Sequence, residues 1–181
     1  MMARALIVGW LFVSLGAVAY LHRLHRTPVS ESYVSTGEVA KGDLQLRHIL
    51  APQCGCSKIL VDYLVERGVS EFPESVFLVE DAPSKAGKVL ADRLSRAGFP
   101  VRFRKAHELP GLPLLEIFSA QELVYRGGYT HGAITPLSPI NDVSRARALV
   151  TGRAPAAHLA YGCALSQQLL QSLDPLGVKG L

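Results

Sequence analysis

From Asp43 to Leu50 apolar and polar residues alternate, with Leu44, Leu46, His48 and Leu50 on one side, a period of two that predicts a half-buried strand. The period lengthens after Lys58. Ile59, Leu60, Tyr63 and Leu64 then fall on one helical face, Lys58, Asp62 and Glu66 on the opposite stripe, and Gly68 is placed to end the helix near Arg67. Ser75–Val79 is a short continuous apolar run of the kind buried on both faces of a sheet. Pro83-Ser84 opens a second helix, carried by Val89, Leu90 and Leu94 up to Gly98, and Val101–Arg104 reads as a more exposed strand. Leu114–Phe118 and Glu122–Arg126 are too close for a parallel crossover and predict an antiparallel hairpin closed by Gly127-Gly128. Beyond a loop at Thr130–Pro139, Asn141 or Asp142 caps a helix to about Val150. A final helix is expected from Cys163 to Leu173, with Leu165, Leu169 and Leu173 on one side and a frayed tail after Asp174-Pro175. This order predicts an α/β fold, a mixed central sheet flanked by helices, with a C-terminal helical extension.

The N-terminus carries a different pattern. Ala5 to Leu21 holds no charged residue and is bounded by Arg4 and by His22-Arg23-Leu24-His25-Arg26. Such a stretch reads as an export signal, at the short limit of about 17 residues for a membrane span. Ala17-Val18-Ala19 fits signal peptidase; Trp10 and Tyr20 suit a retained anchor with interfacial aromatics. Both outcomes stay open, a single-pass cell-membrane protein with its domain in the periplasm or otherwise outside the cytoplasm, or a soluble periplasmic one. The organisation expected is residues 1–26 as signal anchor or signal peptide, 27–42 as a Ser/Thr/Gly-containing linker, 43–151 as the globular domain and 152–181 as the extension.

With 181 residues, 49% of them hydrophobic, the chain can bury one ordinary core and little more. Its formal charge of +4 is spread over isolated Lys and Arg, without the basic stripe interleaved with aromatics that a nucleic-acid surface shows. No nucleic-acid partner is therefore expected. No Ser-His-Asp elbow, phosphate-loop glycine pattern or paired carboxylate motif supports hydrolase or nucleotide chemistry. Glu108 and Glu116 flank the Pro113 loop, and Glu116 is expected to point outward from its strand.

Three cysteines are too few to build a disulfide scaffold, and Cys54 and Cys56 are separated only by Gly55. They stand where the first helix starts. Unpaired N–H groups and the helix dipole stabilise a thiolate there, and the thiolate is the form that attacks disulfides and binds metals. A Cys54–Cys56 disulfide would close a smaller ring than Cys-x-x-Cys does, and strain in it would make it easily reduced. Cys163 follows Gly162. It is read either as a buried apolar cysteine or as a resolving partner folded back to Cys54 or Cys56.

The order strand, Cys motif at a helix start, strand, helix, then Gly111-Leu112-Pro113-Leu114-Leu115 leading into the hairpin, resembles the thioredoxin-like superfamily over about Asp43 to Tyr129. Ala51-Pro52-Gln53-Cys54-Gly55-Cys56 is similar to that family's Trp-Cys-Gly-Pro-Cys loop, and Pro113 falls where the family has its cis-proline. The resemblance implies thiol-disulfide exchange, as oxidoreductase or isomerase, with exported protein thiols and disulfides and a redox partner protein, and without a cofactor. Its implied site residues are Cys54, Cys56 and Pro113; Cys163 lies beyond the stretch it covers and joins the candidate site only as the resolving partner read above. The departure is the spacing, which admits two registers. In one, Cys54 is the nucleophile and Ser57 takes the resolving position; in the other, Cys56 resolves and Gln53 replaces the nucleophile. Two other readings stand beside it. One is a thioredoxin-like copper-binding protein using Cys54, Cys56, His48 and His131; the other is a non-catalytic thioredoxin-like binding module.

Overall fold

The computed structural model describes residues 2–26, 28–35, 44–105, 109, 111–165 and 171. The alternation in Leu44–Leu50 becomes a central strand, β2, because its Leu44, Leu46, His48 and Leu50 side is fully covered while Gln45 and Arg47 are only half-buried. Helix α2, Gly55–Arg67, follows, then β3, Glu74–Val79, helix α3, Lys85–Arg96, and edge strand β4, Val101–Arg104. β2 to β3 and β3 to β4 are both parallel and step the same way across the sheet. Two right-handed crossovers advancing in one direction leave both helices on the same face. Leu60, Val61 and Leu64 of α2, and Leu90 and Leu94 of α3, accordingly join one core with Leu46, Val76, Leu78 and Ile117. Helix α4, Asp142–Val150, adds Ala146 and Leu149 to that same core.

Ser84 caps α3 by accepting from the Gly87 N–H at 3.0 Å. Gly68 ends α2 at φ 71°, a left-handed value that glycine tolerates.

The hairpin is β6, Leu114–Ser119, and β7, Glu122–Gly127, with β6 antiparallel to β2. Its turn residues Ala120 and Gln121 both have positive φ, 47° and 76°. A two-residue strand, β1, Tyr33–Val34, lies within the segment read as a linker and pairs with β7, giving the order β1-β7-β6-β2-β3-β4. The mixed α/β sheet expected from the periodicity is present, and it is consistent with a thioredoxin-like arrangement.

Among the described residues, the second face of the sheet is covered by irregular chain. Ile49, Phe77, Val79 and Leu114 pack there against Val29, Leu109, Leu112, Ala160 and Ala164. Two short strands tie this cover together: β5, Gly111–Leu112, runs antiparallel to β8, Cys163–Ala164, and Ser30 bridges to Ala160. Cys163 therefore begins a strand, not the helix expected there. Extended backbone lets Cys163 and Ala164 pair with the edge of β5, an interaction a helix start could not make. The rest of that expected helix and the tail, at 166–170 and 172–181, lie outside the described residues, as do Glu108 and positions 27 and 36–42 of the expected linker. Helix α1 spans Met2–Arg26. Among the described residues no helix is long and apolar enough to cross a membrane.

Candidate functional site

The chain leaves β2 at Leu50 and turns immediately. The Ala51 N–H donates to Ser57 Oγ at 3.0 Å and the Cys54 N–H to the Ala51 carbonyl at 3.0 Å, which sets Cys54 at the N-cap of α2 with extended backbone (φ −82°, ψ 125°). Ser57 is fully buried and its oxygen closes this loop, so the residue in the resolving position of the first register serves the backbone.

Cys54 is disulfide-bonded to Cys163, 109 residues away, with a Cα–Cα distance of 5.9 Å. Cys56 lies outside that bond and is half-buried. The Cys54–Cys56 pairing considered from the spacing is thus replaced by a long-range one. Residues two apart at a helix start project to different sides of the axis. Cys54 goes under the irregular cover, at 1% exposure, while Cys56 packs between the two cores.

The cover is built around that bond. Leu112 pairs with Cys163 across β5 and β8, Cys54 Sγ is 3.8 Å from the Leu112 carbonyl oxygen, and the Leu112–Pro113 peptide is cis. Pro113 therefore stands beside the disulfide, on the residue that follows the β5 edge. Gly162 lies so close that an added Cβ would overlap the Leu112 carbonyl oxygen and come within 2.6 Å of Pro113 Cδ. Gly127 and Gly128, read from the sequence only as the hairpin's close, let the 158–160 backbone pass: Gly128 N–H donates to the His158 carbonyl at 2.8 Å, and a Cβ on Gly128 would strike the Leu159 carbonyl oxygen.

The histidines of the metal alternative are elsewhere. His48 is fully buried on the helix-covered face, with Nε2 3.0 Å from Glu74 Oε2 and Nδ1 3.0 Å from the Tyr129 hydroxyl. Both ring nitrogens are engaged, and Cys54 packs on the other side of the sheet. His131 packs against the His158 ring, centroids 3.9 Å apart. Among the described residues no group of three or more His, Cys, Asp and Glu side chains is placed to hold a metal ion. Glu116, expected to point outward, is 2% exposed and paired with Arg126 at 2.7 Å.

A buried polar network braces β2, β3, α2 and α4. Glu74 receives both Arg67 Nη groups, at 3.0 and 2.8 Å, and the Ser70 N–H at 2.9 Å; Arg67 also reaches Asp142 at 3.0 Å, which accepts from the Tyr63 hydroxyl. Burial alone would raise the Glu74 pKa, but the hydrogen bonds from His48 and Arg67 outweigh it and hold the carboxyl well below its usual range. Burial and the neighbouring Asp142 carboxylate push the Tyr63 hydroxyl in the opposite direction, upward.

No protein-family model matches the chain, and no curated protein does. Among solved structures, a hypothetical protein from Sinorhizobium meliloti 1021 is similar with a TM-score of 0.50 at 13% identity, over 75% of this chain and 96% of that one. A thioredoxin-like superfamily protein, SPOA0173, is similar with a TM-score of 0.31 at 13% identity, over 81% of this chain and 90% of that one.

Proposed function

We propose that the chain carries out thiol-disulfide exchange with Cys54 and Cys163 as its redox pair. The observation that carries this reading is the Cys54–Cys163 bond at the N-terminus of α2, against the residue that precedes Pro113. In the reduced protein, the helix N-terminus favours the Cys54 thiolate. That thiolate attacks one sulfur of a partner disulfide, the partner S–S bond breaks, and the other partner sulfur leaves as a thiolate and is protonated. The resulting mixed disulfide joins Cys54 to the partner. Cys163, as its thiolate, then attacks Cys54 Sγ; the second partner sulfur leaves, and the Cys54–Cys163 bond closes. Two electrons pass from the two thiols to the partner, and the same steps run backward oxidise a partner dithiol. Pro113 shapes the groove beside Cys54, and Cys56 is a neighbouring thiol outside the pair.

The partners are exported proteins and a redox protein that resets the pair, with the domain outside the cytoplasm after export led by the 1–26 segment. A lasting disulfide belongs in an oxidising compartment. Trp10, Phe12 and Val13 of α1 are 68%, 72% and 73% exposed, and an uncharged stretch such as residues 5–21 is what an export signal presents.

Trapping of mixed disulfides tests the assignment. Cys163→Ser leaves Cys54 without its resolver and is expected to accumulate complexes with exported proteins, Cys54→Ser to lose them, and Cys56→Ser to keep exchange. Loss of exchange in Cys56→Ser with retention in Cys163→Ser would overturn the pairing; complexes from none of the variants would leave the bond a purely structural staple.

A further inference from the structure

Away from the disulfide, the N-terminal turn of α4 and the 153–158 segment form an open cavity of about 390 Å³ lined by His131, Asn141, Ser144, Arg145, Arg153 and His158, with small apolar residues completing the wall and no acidic residue in it. Arg145 is 4% exposed. Its guanidinium donates to the Tyr129 carbonyl at 3.3 Å and to His158 Nδ1, and lies 5.2 Å from the Tyr125 ring centroid. Among the described residues no carboxylate forms a salt bridge with it. Nearby Asp142 directs its oxygens to Arg67, Tyr63 and the Val143 N–H. A buried cation left in this way is only partly compensated for its desolvation: burial lowers the Arg145 pKa by more than Tyr125, Asp142 and Tyr129 raise it.

His158 sharpens the argument. A guanidinium can only donate, so Nδ1 must offer its lone pair, and the ring proton sits on Nε2. Burial, the Arg145 charge and His131 push the His158 pKa down to about 4, keeping the ring neutral near pH 7. Nε2–H is buried and has no acceptor among the described residues, in a residue 7% exposed. A buried donor without an acceptor is costly and uncommon. Two buried donors, two exposed basic residues and no acid line one cavity.

We propose that this cavity binds a small oxyanion, with Arg145 and His158 Nε2–H at its floor and Arg153, His131, Asn141 and Ser144 at its rim. An oxyanion has only acceptors to offer, which matches a lining rich in donors, and its charge would compensate the guanidinium. Phosphate and carboxylate share this chemistry. The site is distinct from Cys54 and Cys163, and its existence does not depend on whether they exchange electrons.

Isothermal titration of the full chain with inorganic phosphate, and separately with malonate, against chloride at equal ionic strength, tests it. Saturable binding at one site per chain is expected, and removing one charge-assisted contact in the exposed-residue variants Arg153→Ala and His131→Ala should weaken it by about fivefold or more. Arg145→Gln, checked for folding by circular dichroism, should weaken it further; if it does not fold, the two rim variants decide. Tighter phosphate binding assigns a phosphate-type ligand, tighter malonate binding a carboxylate. No saturable heat beyond the chloride control up to about 20 mM of either anion, a range that would reveal a millimolar Kd, or unchanged affinity in both rim variants, would overturn the proposal.

Discussion

Gly162→Ala is the substitution that most directly tests how the 160–164 segment is held over Cys54. The added methyl would meet backbone, the Leu112 carbonyl carbon at 2.8 Å, and the Pro113 ring at 2.6 Å, neither of which can swing aside as the tip of a flexible side chain can. Overpacking of this kind costs about 1–3 kcal/mol. The cost falls on the form in which the Cys54–Cys163 bond clamps Gly162 against Leu112; the reduced form can relieve it by letting the segment lift. For a two-electron couple about 1.4 kcal/mol corresponds to about 30 mV, so the midpoint should rise by about 20–65 mV, making the bond easier to reduce. Equilibration in glutathione buffers with alkylation and mass analysis gives that midpoint. Gly132→Ala, where an added Cβ meets nothing within 4 Å, is the control and should leave it unchanged. An unshifted midpoint in Gly162→Ala would refute the idea that the segment is pressed against the β5 edge.

The buried network gives a second expectation. Glu74→Ala leaves Arg67 and His48 without their shared acceptor and should cost about 3–5 kcal/mol in urea unfolding; a loss under 1 kcal/mol would count against the network's role. Acid should destabilise the fold in two stages. His158, with its pKa lowered from 6.5 to about 4, contributes stability that is present above pH 6.5 and lost as pH falls toward 4. Glu74, depressed from 4.5, contributes stability that is present above 4.5 and lost below it. Urea midpoints that stay flat from about pH 7 to about pH 3 would contradict both. At the hairpin, Ala120→Asn with Gln121→Gly places the preferred residues where both φ values are positive and should stabilise by about 1 kcal/mol, read as a higher urea midpoint.

Periodicity located β2, α2, β3, α3 and the hairpin because each buries a face whose repeat is written locally. Helix α2 starts at Gly55, ahead of the apolar pattern that announces it, since the Ala51–Ser57 hydrogen bond closes the turn early. Strands β1, β5 and β8 carry no such signal. Each is two residues long and exists only because a distant segment pairs with it, as Leu112 does with Cys163. The same reason hid the redox pairing. Cys54 and Cys56 are neighbours in sequence but leave the helix start in different directions, while Cys163 reaches Cys54 through a fold-back that only tertiary contacts specify. The sequence did supply a hint in Gly162, a residue without a side chain next to a cysteine. Nothing comparable marked Arg145 and His158, whose meeting depends on where the 153–158 segment lands against α4.

The pairing of Cys54 with Cys163 is the claim on which the functional reading turns, and differential alkylation with peptide mapping across a glutathione series measures it directly. Cys54 and Cys163 should lose reactivity together, with one midpoint, as the buffer becomes oxidising, while Cys56 keeps a reactivity that does not follow theirs. Joint titration of Cys54 with Cys56, or a Cys163 that is alkylated at every potential, would contradict it.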